Sequence, residues 1–145
     1  MKRVPQDVTK KDTLAVNPIL ENLARETGAD YIHLFLSEVD HPEKLFMLGK
    51  VPFREIPVGE KNLCRWSTPT MRVFASREII YATVDYVKFG AVRLKAKTIG
   101  LVALGYCVTP SERHSWKVDD ILHKWNKNSR LHQFLSGYET GVEDD

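Results

Sequence analysis

Ala91-Val92-Arg93-Leu94-Lys95-Ala96-Lys97-Thr98-Ile99-Gly100-Leu101-Val102-Ala103-Leu104-Gly105-Tyr106-Cys107-Val108 is the stretch on which the fold turns. Val92 and Leu94 alternate with Arg93 and Lys95, the period-2 pattern of a half-exposed strand over 91–96. From Thr98 to Val108 the apolar residues become nearly continuous. That suits a central strand buried on both faces. The run from Ile99 to Val108 is also roughly half the length a membrane helix needs. Pro110 ends it, because proline cannot continue a hydrogen-bonded ladder.

Toward the C-terminus, Ser111 or Ser115 can cap a helix in which Val118, Ile121, Leu122 and Trp125 share one face. Leu131, Phe134, Leu135 and Tyr138 form a second stripe out of phase with the first, so a break is expected at 126–129. Toward the N-terminus, Asn17-Pro18 reads as a helix start, with Ile19, Leu20, Leu23 and Ala24 on one face and Gly28 as the stop. Tyr31–Val39 alternates as a strand, Asp40-His41-Pro42-Glu43 is turn chemistry, and Leu45–Leu48 returns as the second arm of a hairpin. Pro52, Pro57 and Gly59 make 49–70 mostly loop, and Met71–Ser76 reads as a further strand. Ile79, Ile80, Tyr81, Val84 and Val87 fit a helix nearly as well as a strand. The segment 77–90 is read as a helix or irregular stretch ending at Gly90.

The order helix, hairpin, long connection, hairpin, helix predicts an α+β fold, an antiparallel β-sheet with N- and C-terminal helices packed on one face. One domain over 15–138 is expected, flanked by a flexible segment at 1–14 and an acidic, disordered tail at 139–145. The 145 residues are 43% hydrophobic, enough for one sizeable core. Cys64 and Cys107 are too few for a disulfide framework and read as buried thiols. His33, His41, His114, His123 and His132 show no metal-ligand spacing, so neither metal nor cofactor is expected. With no apolar leader after Met1-Lys2-Arg3, the chain is expected to be cytoplasmic and off the membrane. The net charge of +2 is uneven: residues 50–97 hold ten Lys or Arg against four Asp or Glu. A basic face there and a merely solvated surface both remain open.

Ile56-Pro57-Val58-Gly59-Glu60, the pair Ala91–Leu94 with Lys97–Leu104, and His114-Ser115 with Asp119-Asp120-Ile121-Leu122 together resemble the GAF domain, a small sensor fold. The resemblance spans about residues 15–136. Lys61-Asn62 departs from it where the family's ligand loop has a second glycine. It implies a pocket between the sheet and residues 58–90, a homodimer built on terminal helices, and a role in binding a small molecule and passing a shape change to a protein partner. Some proteins of this kind reduce methionine sulfoxide through several cysteines. Cys64 lies near one such position, but the resolving thiol that chemistry needs is missing nearby.

Cys64-Arg65-Trp66-Ser67-Thr68-Pro69-Thr70-Met71-Arg72 is the most unusual segment. Arginine offers paired donors to carboxylate or phosphate, and tryptophan offers a stacking face. Arg65, Trp66 and Arg72 are therefore the expected ligand- or partner-binding residues, with Tyr81 and Tyr86 as pocket walls. The alternative is that Trp66 plugs the sheet edge while Arg65 lies at the surface. No catalytic motif is present, so an enzyme is not expected. Two functions stay open: a non-catalytic sensor or adaptor regulating a protein partner, with or without a small-molecule ligand, and a nucleic-acid-associated transcription regulator using the basic face at 50–97.

Overall fold

The computed structural model describes residues 3–39, 45–51, 59–60, 63–67, 72–76, 86–95 and 97–140, the three short segments between 59 and 76 by their backbone alone. Its elements run α1 (Lys10–Thr27), β1 (Tyr31–Ser37), β2 (Leu45–Val51), β3 (Gly59–Glu60), β4 (Leu63–Ser67), β5 (Arg72–Ser76), β6 (Tyr86–Leu94), β7 (Lys97–Tyr106), α2 (Glu112–Trp125) and α3 (Ser129–Leu135). Five strands form one sheet in the order β3-β2-β1-β7-β6. All its pairings are antiparallel. β4 and β5 form a separate antiparallel ribbon, and β5 runs close to β6 and β7. The class expected from sequence is the one observed.

β7 sits between β1 and β6, and its residues from Thr98 to Tyr106 are buried. The near-continuous apolar pattern has this cause: both faces of β7 are covered. All three helices lie against one face. There Val16, Leu20 and Leu23 of α1 join Ile32, Leu34 and Leu36 of β1, Val102 and Leu104 of β7, Val118 and Leu122 of α2, and Leu131 and Leu135 of α3. The other face carries a smaller cluster of Phe35, Leu45, Met47, Leu101 and Ala103.

The first helix begins earlier than Asn17-Pro18 implies. Thr9 and Asp12 form a capping box: the Asp12 N–H donates to Thr9 Oγ1 at 3.3 Å and the Thr9 N–H to Asp12 Oδ2 at 2.9 Å. Two orphan donors of the first turn are thereby satisfied reciprocally. The helix then runs through Pro18, which is exposed and lacks the N–H that would bond back to Leu14. Asn17 is not a cap; its Oδ1 accepts the Lys50 N–H at 3.2 Å. α1 closes at Gly28, whose φ of 72° is left-handed. Residues 3–9, which fall in the stretch expected to be flexible, are tied down. The Arg3 N–H donates to Gly137 O at 3.0 Å, the Glu139 N–H to Arg3 O at 2.7 Å, and the Arg3 guanidinium pairs with Asp12. Glu139 thus belongs to the ordered body, and 141–145 lie outside the described residues.

The second correction concerns 77–90. Residues 86–90 are strand and belong to β6, which passes straight through Gly90; 77–85 lie outside the described residues. Gly90 is a contact point rather than a stop, because a Cβ there would stand 3.0 Å from Leu122 Cδ1 on α2. Gly49 does the same for α1: its Cβ would meet Val16 Cγ1 at 2.4 Å. Where 49–70 was read as mostly loop, β2 continues to Val51 and β4 pairs with β5. At the C-terminal end Ser111 caps α2 and Asn128 caps α3, so the phase break does divide the two stripes.

Asn126, between α2 and α3, closes part of the open edge of β6. Its Oδ1 accepts the Arg93 N–H at 2.8 Å and its Nδ2 donates to Ala91 O at 3.0 Å. A side-chain amide there takes the place of a neighbouring strand.

Candidate functional site on the second sheet face

Of the residues singled out from sequence, the structure describes the backbone of three and the side chain of Tyr86. Arg65 and Trp66 lie on β4 and Arg72 on β5, with Ser67 opposite Arg72, Trp66 opposite Val73 and Arg65 opposite Phe74. Strand alternation puts positions 65 and 72 on one face of the ribbon and position 66 on the other. Tyr81 lies outside the described residues. Tyr86 packs on the helix side of the sheet, its ring 6.1 Å from that of Tyr106. There Tyr106 donates its hydroxyl to Thr27 O at 3.0 Å, and His114 Nε2 donates to the same carbonyl at 2.7 Å. Burial pushes the Tyr106 hydroxyl pKa up, against the opposing effect of that hydrogen bond. These groups secure the end of α1. Tyr86 is therefore partly buried against the helix-side core.

The second face carries chemistry that the sequence only half announces. Lys50 on β2, His33 on β1, Ala103 on β7 and Phe89 on β6 are register partners in one row across the sheet. His33 is 5% exposed and Lys50 3%. Phe35 follows on the same face of β1, its ring 6.2 Å from the His33 imidazole. Two groups able to carry positive charge therefore lie side by side within an apolar patch. A buried ammonium is costly unless anions or hydrogen-bond acceptors surround it, and Lys50 and His33 each engage a neighbour.

His33 was visible in the alternation of β1. Lys50 escapes notice in the sequence because Pro52, Pro57 and Gly59 make 49–70 read as mostly loop. The overlooked signal is that Gly49 leaves room for α1, while a β-bulge at Leu34/Phe35 shifts the pairing beside it.

Other charged groups close locally. Lys88 pairs with Asp119 at 2.9 Å and donates to Ser115 Oγ at 3.1 Å, tying β6 to α2. The Arg3 guanidinium holds the Asp12 carboxyl well below its usual range, at about 2, with Thr9 assisting. Burial pushes the Tyr138 hydroxyl up to about 12. Cys107, expected to be buried in a central strand, lies just past β7 and is exposed. Its N–H donates to Asp30 Oδ2 at 2.7 Å. Among the described residues no three His, Cys, Asp or Glu side chains gather as metal ligands. None of the helices there is long and apolar enough to cross a membrane. No protein-family model, curated protein or solved structure matches the chain.

Proposed function

We propose that this chain is a non-catalytic sensor or adaptor of the GAF-like kind, which binds a small anionic molecule on the second sheet face and regulates a protein partner. The observation that carries this reading is the Lys50–His33 pair, buried at adjacent register positions on the face opposite the helices. A lysine and an imidazole offer point-charge and directional donors to a carboxylate or phosphate, and the surrounding Phe35, Met47 and Leu101 exclude water. The exposed Trp116 at 65%, Val108 at 78% and Leu14 at 56% supply apolar anchors for a partner.

A thermal-shift screen of small carboxylates and phosphates tests the reading. One chemical class should stabilise the protein, by about 2.7 kcal/mol at a hundredfold excess over Kd. Lys50→Met and His33→Gln should each abolish that response while circular dichroism stays unchanged. A response that survives both substitutions refutes the proposal, as does a screen without any response.

The second reading, a nucleic-acid-associated regulator, draws on one observation: positions 65 and 72 share a face of the β4–β5 ribbon. It requires oligonucleotide binding that weakens steeply with salt, because phosphate contacts release counterions. Retention of a metabolite response in high salt, without oligonucleotide binding in low salt, selects the sensor.

A further inference from the structure

On the opposite side of the molecule, a cleft of about 280 Å³ opens between α1 and the α2–α3 junction. It is independent of the second-face reading. Ile19, Leu23 and Trp125 give it an apolar floor. Its polar groups are unevenly divided between donors and acceptors. The Asn128 side-chain oxygen is taken by the Leu131 N–H, leaving its NH2 as donor, and the Asn22 oxygen is taken by Arg25. Arg130 and Lys124 add cationic donors, and Lys124 also meets Asp120 at 3.2 Å. Glu26 is the one carboxylate in the lining. The indole N–H of Trp125, in a residue 6% exposed, has no acceptor among the described residues. A buried donor left unmet costs about 1–3 kcal/mol.

We infer that this cleft binds a small carboxylate with a compact aliphatic body. Arg130 donates paired hydrogen bonds to the carboxylate with the Asn128 NH2 beside it, and the aliphatic part lies on Ile19, Leu23 and the Trp125 ring. The volume lies at the lower end of ligand pockets, which favours a small molecule.

The probes are 4-methylpentanoate and its neutral amide, 4-methylpentanamide, titrated into 15N-labelled protein. The Trp125 indole N–H resonance is read directly, after assignment through Trp66→Phe and Trp116→Phe so that Trp125 itself stays intact. The resonance should move saturably with the carboxylate at concentrations of about 1–10 mM. Arg130→Ala should weaken that response about tenfold, and the amide should bind at least about tenfold more weakly. A resonance that stays fixed overturns the inference. So does an equal response to the amide, or an undiminished response in Arg130→Ala with an otherwise unchanged spectrum.

Discussion

The two faces of the sheet bury comparable side chains but treat polar groups differently. On the helix side, polar groups that enter the interior serve the chain itself. Thr13 donates to Leu48 O at 2.9 Å, Asn17 takes the Lys50 N–H, and Tyr106 and His114 both serve Thr27 O. Each is a short-range repair of a backbone group that packing would otherwise strand. On the second face, Lys50 and His33 bring ionisable groups beside an apolar cluster, each engaged with a neighbour. One face is organised around holding α1, α2 and α3. The other is organised around charge, and that difference is why the functional proposal rests on it.

The contrast can be broken most directly by core truncation. Phe35→Ala should cost about 4 kcal/mol and Leu20→Ala about 3 kcal/mol in urea unfolding, since both side chains are fully buried. A Phe35→Ala loss below about 1 kcal/mol would show the second face to be loosely packed and dissolve the symmetry of burial. Gly49→Val should cost about 3 kcal/mol, because the added atoms meet Val16 and Leu20 and force α1 off β2. An unchanged midpoint there would mean that α1 is not seated as described. Asn126→Ala should cost about 1–2 kcal/mol by freeing Ala91 O and Arg93 N–H. Asn126→Asp, which sets a carboxylate oxygen against Ala91 O and Leu122 O, should cost at least as much.

The smallest effect is pH-dependent and confined to the helix side. The Asp12 carboxyl titrates at about 2 in the folded chain against an ordinary 3.8. Its stabilisation is present in full above pH 4 and disappears as pH falls toward 2, because the unfolded chain takes up the proton first. With Arg3 at the surface, the loss should be about 1 kcal/mol. Asp12→Asn should flatten the stability profile in that window and lower stability by about 1 kcal/mol above pH 5, as read by thermal melts across pH.

Strands were legible where both neighbours imposed a pattern. The continuous apolar run of β7 could not be accommodated at an edge, and the structure puts it second from one side. Boundaries were illegible where a residue does something other than its commonest task. Pro18 sits inside a helix on its exposed side, Asn17 serves a strand instead of starting a helix, and Gly90 admits α2 instead of ending a segment. At Asn17 and Gly90 local preference was overridden by a contact with an element distant in sequence. The candidate site was read less well for the same reason. Arg65, Trp66 and Arg72 attract notice because they are adjacent in sequence. Lys50 and His33 come together only through register, across seventeen positions of sequence.

The Asn126 amide also has a consequence for how copies of the chain can meet. Strand edges are where proteins polymerise, and at Ala91–Arg93 that route is already occupied from within. A growing fibril would have to evict a residue anchored at the end of α2 before it could add its first rung there. Self-association at this border is thus discouraged by geometry alone.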